Sequence, residues 1–362
     1  MRLLIVGAGV AGLALAHALE RRGIAAEVVE RADARQPSGA GLYLPGNAVR
    51  AFGELGVGPV VAARANPIAR QRILDHRGRL LADLDVERFW DGVGGCVAIP
   101  RAALHDALRD ATEDVPVRLG TSVTDLKDGD GPEVSFSDGS TGSYDLVVGA
   151  DGVHSTIRRL AFGGSPARYV GQVCWRFVAD GFAEVNDWTV MLGRGRTFLT
   201  VALGAGVVYC YADVNTGDPS AVDCEDWREL FAGFADPVPR LLDEAADAYF
   251  APIEEVVAPA WTARRIVLIG DAAHASSPNM AQGAAMAVED ALVLAERLDA
   301  ETVDEALIAY ERRRKPRVAW VQEQTHRRDR TRSLPPVIRN LTLRLAAERI
   351  FRSNYEPLRD QP

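Results

Sequence analysis

Cysteine is scarce in this 362-residue chain, which has four cysteines and no pair of them at a C-x-x-C spacing. The cysteines also do not combine with histidines at the spacing of a zinc site. We therefore expect no disulfide framework and no bound metal, and we interpret the cysteines as reduced thiols in or near the core of a cytoplasmic protein. They are Cys96, Cys174, Cys210 and Cys224.

Long apolar runs are also lacking, since no stretch approaches the roughly twenty residues that span a bilayer. Because the first buried strand begins at Leu3, we expect no signal peptide. The formal net charge is −9, and this acidic balance argues against general nucleic-acid binding. A basic run from Arg312 to Arg332 is predicted to be a solvated, partly amphipathic helix rather than a nucleic-acid or membrane surface. We expect a monomer or homodimer.

A glycine fingerprint dominates the start of the chain. The apolar run from Leu3 to Val6 predicts a buried strand, Gly7-x-Gly9-x-x-Gly12 follows at once, and a helical stretch leads to a second strand that ends at Glu30. The glycines permit a tight turn, a close approach of phosphates to the backbone, and close packing of helix on strand. Glu30 is placed where a carboxylate binds the hydroxyls of an adenosine ribose. The unit predicts a dinucleotide site, which at this point is either FAD or NAD.

Two further segments end a buried strand with glycine and an acidic residue. The first is Gly149-Ala150-Asp151-Gly152, after the strand that begins near Tyr144. The second is Gly270-Asp271, and it leads through Pro278 to a helix predicted from Ala281 to Leu298.

Together the three motifs resemble the class A FAD-dependent monooxygenases, the aromatic hydroxylases with a para-hydroxybenzoate hydroxylase-like fold. The resemblance extends from Leu3 to about Leu345, and three motifs in this order are far more specific than any one of them. It implies a non-covalently bound FAD, reduced by NADH or NADPH. Glu30 then belongs to FAD and does not distinguish the two nicotinamide cofactors.

The resemblance also implies a role for individual residues. The fingerprint and Glu30 would hold the ADP half of FAD, and Arg101, at a predicted helix start after Pro100, would reach the cofactor. Asp151 would contact FAD and has been linked in the family to NAD(P)H use, and Asp271 would bind the ribityl chain. The implied cofactor-binding residues are Gly7, Gly9, Ala11, Gly12, Glu30, Arg31, Gly41, Arg101, Val123, Asp151, Asp271, Ala281, Gly283 and Ala284.

The helix near Ala281 would direct its free N–H groups at the flavin O2/N1 edge, where they stabilise the negative charge of reduced flavin. The family usually has Gly-Gln-Gly at this point, whereas this chain has Ala281-Gln282-Gly283. The substitution keeps the N–H donors and restricts φ at residue 281.

Two residues are candidates for orienting the substrate. Some relatives that act on hydroxylated heteroaromatics have an arginine and a tyrosine at points that match Arg196 and Tyr209, facing the flavin. These two residues are predicted to hold an anionic oxygen, the alternative being a surface arginine and a packed tyrosine. Trp175 and Arg176 either line the same pocket or stabilise the sheet.

Other polar residues near the motifs are predicted to be structural. We interpret His274 as a loop residue that packs or bonds beside the cofactor, and His154 likewise as structural. Glu289 and Asp290 are predicted to cap or pair locally within their helix.

The order of predicted elements gives an α/β fold. It consists of a Rossmann-like FAD-binding domain with a parallel sheet and a small β-meander, a mostly antiparallel substrate-binding sheet, and C-terminal helices. The predicted FAD-binding domain is discontinuous and covers 1–70, 96–165 and 256–330. The substrate domain covers 71–95 and 166–255, and a helical segment covers 331–362.

The expected function is that of an FAD-dependent monooxygenase. NAD(P)H would reduce FAD, O2 would form a C4a-hydroperoxide, and an aromatic or heteroaromatic small molecule would be hydroxylated. One alternative is an epoxidase or oxidative-rearrangement enzyme on the same fold. Less favoured is a flavin-dependent halogenase, because the chain lacks a Trp-x-Trp-x-Ile-Pro signature and has no suitable lysine. A non-enzymatic dinucleotide-fold protein is the remaining alternative.

Overall fold

The computed structural model describes residues 1–33, 40–127, 129, 131–164, 166–222 and 226–362. Cys224, which we interpret above as a reduced thiol, lies outside the described residues. The strands of the described part are β1 (Leu3–Val6), β2 (Ala26–Val29), β3 (Gly41–Leu44), β4 (Asn66–Pro67), β5 (Arg70–Asp75), β6 (Leu80–Asp85), β7 (Val97–Pro100), β8 (Val117–Arg118), β9 (Val123–Lys127), β10 (Glu133–Phe136), β11 (Thr141–Ser143), β12 (Leu146–Gly149), β13 (Arg168–Ala179), β14 (Trp188–Leu192), β15 (Arg196–Gly204), β16 (Val207–Asn215), β17 (Tyr249–Glu255), β18 (Thr262–Ala263) and β19 (Ile266–Leu268).

The helices connect and cover these strands. In the described part they are α1 (Val10–Glu20), α2 (Gly46–Leu55), α3 (Gly58–Ala63), α4 (Val86–Phe89), α5 (Arg101–Ala111), α6 (Thr156–Ala161), α7 (Val238–Asp243), α8 (Asp271–His274), α9 (Gly283–Ala300), α10 (Val303–Arg332) and α11 (Pro336–Tyr355). No helix among these described residues is both long enough and apolar enough to cross a bilayer.

A six-stranded sheet has the strand order β18-β19-β12-β1-β2-β8. It carries the three sequence motifs, and we call the part of the molecule around it the cofactor side. β1 pairs in parallel with β2 and β12, and β12 pairs in parallel with β19. The residues of β1, β12 and β19 are all buried, which explains why these strands are apolar at every position. The three sequence motifs follow β1, β12 and β19, so that they meet at one edge of this sheet.

A small meander accompanies the parallel sheet, as predicted. It has the order β11-β10-β9 and is antiparallel. β8 lies outside the meander, because it pairs in parallel with β2 at the edge of the six-stranded sheet.

The second large sheet has seven strands in the order β17-β13-β16-β15-β14-β5-β6. It is antiparallel except where β14 pairs with β5. Alternate side chains lie on opposite faces. We call the face of Tyr209 and Tyr211 the inner face, because these side chains belong to the same core as the parallel sheet. The outer face carries Trp175 and Phe198 and packs in a separate apolar cluster with Trp227.

This architecture confirms the predicted α/β fold, with a parallel sheet, a meander, an antiparallel sheet and C-terminal helices. The predicted domain boundaries stay a prediction. One expectation was wrong in part, because the basic run in α10 is not simply a solvated face. Arg314 is fully buried and ion-paired with Glu289 and Asp290, and Arg332 is paired with buried Asp213. Burial of these guanidinium groups is possible because each has a carboxylate partner.

Candidate active site

The glycine fingerprint forms a tight turn between β1 and α1. Gly7 has a φ of +109°, and a Cβ at Gly12 would lie 1.9 Å from the Gly7 carbonyl oxygen, so that neither position tolerates a side chain. A Cβ at Gly9 would meet nothing within 4 Å among the residues that the structure describes. The space beside Gly9, at the start of α1, is therefore open to a phosphate.

Glu30 lies beside this turn, as the sequence predicts. Its two carboxylate oxygens accept hydrogen bonds from the N–H groups of Ala8, at 2.9 Å, and Ala32, at 3.0 Å. The neighbouring side chain of Arg31 is exposed. These bonds fix the Glu30 carboxylate at the end of β2, where a ribose would lie next to it.

The second motif is organised by the side chain of Asp151. Its carboxylate accepts hydrogen bonds from the Ser155 hydroxyl at 2.5 Å, from the Thr156 N–H at 2.6 Å and from the Ile157 N–H at 3.2 Å. Burial raises the pKa of Asp151, and these hydrogen bonds oppose that effect. The carboxylate thus caps α6, and its direct contact with FAD stays a prediction.

A buried arginine connects the second motif to the third. Arg158 of α6 donates hydrogen bonds to the carbonyl oxygens of Val153, at 2.6 Å, and Ala272, at 2.7 Å. Asp271 begins α8, its side chain is exposed, and it makes no hydrogen bond or ion pair with the part of the chain that the structure describes. An exposed carboxylate without a partner at this edge is suited to binding hydroxyl groups.

The third motif also packs against the first. Gly270 has a φ of +58°, and a Cβ there would lie 2.9 Å from the Cβ of Ala11 in α1. Ala11 therefore acts as a small residue that lets the turn at Gly270 approach the fingerprint helix.

The start of α9 has the geometry expected for the flavin end of the site. Ala281 has a φ of +51°, a left-handed conformation in which an L-residue is strained by roughly 1–2 kcal/mol. Gln282 exchanges two hydrogen bonds, of 2.8 and 3.1 Å, with Asn47 of α2, and both side chains are buried. A Cβ at Gly283 would meet nothing within 4 Å in the described part of the chain, and Ala284 follows it in the first turn. The first turn of α9 is therefore open at Gly283.

Three other predicted cofactor residues lie around this site. Gly41 of β3 allows a close contact, because a Cβ there would lie 2.7 Å from the Tyr209 side chain. Arg101 begins α5, and its positive charge partly opposes the rise in the pKa of Tyr209 that burial causes. Val123 is buried in the meander, opposite Phe136. Contacts of these residues with FAD stay predictions.

The structure separates the two predicted substrate residues. Tyr209 pairs with Val201 of β15, an odd number of positions from Arg196, so that the two side chains lie on opposite faces of the sheet. Arg196 is exposed on the outer side and donates a hydrogen bond to the carbonyl oxygen of Leu230. The structure therefore does not bring Arg196 and Tyr209 together on one face. This placement favours the alternative of a surface arginine, and the substrate role of the two residues stays a prediction.

Arg176, rather than Arg196, shares the inner face with the tyrosines. It is paired with Tyr211 across β13 and β16, and its guanidinium carbon lies 5.8 Å from the centre of the Tyr211 ring. Its neighbour Trp175 points to the outer face, where it stacks on Trp227 with ring centres 4.9 Å apart. Trp175 therefore stabilises the sheet, whereas Arg176 lies on the inner face. Because side chains alternate between the two faces along β13, these adjacent residues point in opposite directions.

Tyr209 stays protonated near neutral pH. Burial raises the pKa of its hydroxyl to about 12, although the positive charges of Arg176 and Arg101 act in the opposite direction. It can therefore donate a hydrogen bond and is not a base.

The structural roles of His274 and His154 stay predictions, and the contacts of the two residues differ. His274 is buried and donates to Asp290 at 2.6 Å, and His154 is exposed beside Glu254 at 3.1 Å. The prediction that Glu289 and Asp290 cap or pair locally within their helix was wrong. Glu289 pairs with arginines of α10, and Asp290 is bound by Arg314 of α10 and by Gly270 and His274.

The residues present fit a dinucleotide cofactor that carries a flavin. The space at Gly9 suits phosphates, the unpaired Asp271 carboxylate suits hydroxyl groups of a ribityl chain, and the open first turn at Gly283 suits a developing negative charge.

Comparison with known proteins agrees with this geometry. The chain matches the family described as "FAD binding domain" over residues 1–192 and 193–325. It is 33% identical over 336 residues to 2-heptyl-3-hydroxy-4(1H)-quinolone synthase of Pseudomonas aeruginosa, covering 90% of this chain and 88% of the relative. It is 37% identical over 320 residues to Aurachin C monooxygenase/isomerase of Stigmatella aurantiaca, covering 85% of this chain and 83% of the relative.

The fold is also similar to that of a solved complex. Klebsiella pneumoniae HpxO complexed with FAD and uric acid has a TM-score of 0.83 and 28% sequence identity, over 99% of this chain and 92% of that one. The chain therefore belongs to the FAD-binding domain family, and it is an FAD-dependent monooxygenase.

Proposed function

We propose that this monooxygenase hydroxylates a small aromatic or heteroaromatic molecule, with a fused nitrogen heterocycle that carries a ring oxygen as the first class to test. One similar enzyme is named for a 4(1H)-quinolone, and a solved relative was crystallised with uric acid. Both are fused nitrogen heterocycles with ring oxygens. They define the substrate class proposed for this chain.

The observation that carries the proposal is the composition of the inner face where it meets the cofactor side. The Tyr209 ring lies against the backbone at Gly41. Tyr211 follows it two residues along β16, and Arg176 of the neighbouring strand β13 is paired with Tyr211. Aromatic rings favour a flat apolar substrate, and a guanidinium group favours a substrate oxygen that carries negative charge. An aromatic wall with a guanidinium group and tyrosine hydroxyl groups matches a heteroaromatic ring that bears an oxygen.

The cofactor contacts follow from the three motifs. We infer that the fingerprint and Glu30 hold the ADP half of FAD, that Asp271 binds the ribityl chain, and that the first turn of α9 faces the flavin. When bound, FAD supplies the redox and oxygen-transfer chemistry, with NADH or NADPH and O2 as co-substrates.

The chain's own residues position the substrate and its charge. Tyr209, which keeps its proton, donates a hydrogen bond to the substrate oxygen. Arg176 favours the ionised form of that oxygen, which makes the ring richer in electrons. The surrounding side chains of the inner face, including Leu199 and Val201, exclude water from the reacting ring.

The proposal is tested by following NADH and NADPH oxidation over a panel of 4-quinolones, purines, hydroxypyridines and phenols, with product mass measured. The expected result is substrate-stimulated oxidation and a product that gains one oxygen atom. A protein that cannot be reconstituted with FAD contradicts the proposal, as does a flavin-loaded protein that oxidises NAD(P)H equally with and without every panel member.

Oxidative rearrangement is a second candidate, because one relative is named a monooxygenase and isomerase. Mass alone does not separate the two reactions, since both products gain an oxygen atom. Two-dimensional NMR of the product does so, because hydroxylation leaves ring substituents in place and rearrangement moves one of them.

A further inference from the structure

A single buried carboxylate connects the parts of the cofactor site. Asp290 of α9 is 0% exposed. One of its oxygens accepts hydrogen bonds from the Gly270 N–H, at 2.9 Å, and from His274 Nε2, at 2.6 Å. The other oxygen accepts from Arg314 Nε, at 2.8 Å.

Through these partners, Asp290 constrains the position of the turn that carries Asp271. Gly270 immediately precedes Asp271, and His274 ends the same short helix. Both are bound by one oxygen, so that the turn is held at its start and at its end. The carboxylate itself belongs to α9, whose first turn begins at Gly283. Asp290 therefore fixes the turn of Asp271 relative to the helix that would face the flavin.

The electrostatics favour the ionised form of Asp290. Burial alone would raise the pKa of Asp290, but the charges of His274 and Arg314 and their hydrogen bonds outweigh burial and hold the pKa below its ordinary value. A carboxylate can accept from all three donors. A neutral amide cannot, because one of its two polar atoms is itself a donor and would face an N–H group.

We propose that Asp290 is a positioning residue for FAD, which sets the turn of Asp271 and the start of α9 in their cofactor-binding arrangement before FAD binds. The inference rests on the proposed role of Asp271 in binding the ribityl chain. Nothing in it requires Asp290 to touch the cofactor.

The adjacent residue Glu289 offers a matched control. It is also buried and also pairs with Arg314, at 2.8 Å, and it pairs with Arg317 at 2.8 Å. It binds neither Gly270 nor His274. Substitution of Glu289 therefore disturbs the same buried ion pairs without releasing the turn of Asp271.

The experiment compares Asp290→Asn with Glu289→Gln in the full-length chain stripped of flavin. FAD is titrated into each protein and its dissociation constant is measured by flavin fluorescence, and thermal unfolding of the flavin-free proteins reports stability. We expect both variants to lose stability, and we expect the dissociation constant to rise about tenfold or more for Asp290→Asn and less than about twofold for Glu289→Gln. Equal changes in FAD affinity would show a merely structural role and overturn the inference.

A milder variant covers the case in which Asp290→Asn does not fold. His274→Ala removes one of the two hydrogen bonds to the same oxygen and leaves the Gly270 N–H bond in place. FAD affinity is expected to fall about threefold, and unchanged affinity overturns the inference. Wild-type protein that binds no FAD contradicts the proposed function instead, so the two failures are distinguishable.

Discussion

The two faces of the seven-stranded sheet are built from the same strands and have opposite chemistry. On the outer face, Trp175 stacks on Trp227 at 4.9 Å, and Phe198 packs against Phe231 at 5.8 Å. On the inner face, the alternate residues of β16 are Tyr209, Tyr211 and Asp213. One face is an aromatic and aliphatic core, whereas the other buries hydroxyl and charged groups beside the cofactor side.

The difference shows which face is suited to a ligand. The Tyr211 hydroxyl and the second carboxylate oxygen of Asp213 are buried, and no hydrogen bond to them is made within the described chain. An unsatisfied buried polar group costs about 1–3 kcal/mol. The outer face also carries such a group, the indole N–H of Trp175, within a cluster of otherwise apolar side chains. Because the inner face buries hydroxyl, carboxylate and guanidinium groups beside the cofactor side, we expect function on the inner face and stability on the outer.

The largest expected effect is on the outer face. Trp227→Ala removes the ring that stacks on Trp175 and should lower the free energy of unfolding by about 3–5 kcal/mol. Urea denaturation measures this change. The turnover number per folded, flavin-loaded molecule should stay within about twofold of wild type, and a much larger loss would contradict the division between the faces.

The next largest expected effect on stability comes from the buried carboxylate of Glu255. Burial alone would raise the pKa of Glu255, but the His326 and Arg168 contacts outweigh it and lower the pKa below its ordinary value of 4.5. The stability contributed by Glu255 is therefore present at neutral pH and lost as the pH falls below about 4.5.

Glu255→Gln tests this account. It should lower the free energy of unfolding at pH 7 by about 1–3 kcal/mol and flatten the loss of stability on acidification. Denaturation curves between pH 3 and pH 7 measure both effects. An unchanged acid profile in the variant speaks against Glu255 as the source.

A smaller free-energy change is expected from Tyr209→Phe, which keeps the ring and removes the hydroxyl. It should reduce kcat/KM about tenfold, equivalent to about 1.4 kcal/mol, while stability changes by less than about 1 kcal/mol. Steady-state kinetics on the substrate found in the panel measure this. Arg196→Ala is the matched outer-face control and should leave kcat/KM within about twofold. The reverse order of effects would favour the predicted substrate role of Arg196 over that of Arg176.

The smallest effect concerns the segment between α8 and α9, which contains Asn279 and Ala281. Asn279 accepts a hydrogen bond from Arg332, and Arg332 also pairs with Asp213 of the inner face. Ala281→Gly relieves the left-handed strain but adds backbone entropy to the unfolded chain, so that a net stabilisation of about 0.5 kcal/mol is expected. A denaturant midpoint that falls instead of rising would show that the Ala281 methyl group contributes packing that outweighs the strain.

The sequence predicted the cofactor side well because its signals are local. A glycine in a tight turn and an acidic residue at a strand end are visible within a few residues, and the structure brings all three motifs to one sheet edge. The substrate side was predicted less well. The face on which Arg196 lies depends on the register of β15 against β16, and the partners of Asp290 lie on α10 and on the turn from Gly270 to His274. Pairing between distant segments leaves no local pattern in one sequence.

The central claim is that the substrate binds on the inner face. Its most direct test is a crystal structure of the FAD-loaded protein in complex with a panel compound that the enzyme hydroxylates. The account predicts that the substrate ring lies on the inner face, with an oxygen within hydrogen-bonding distance of the Tyr209 hydroxyl. A substrate bound on the outer face, or one that makes no contact with Tyr209 or Arg176, would contradict it.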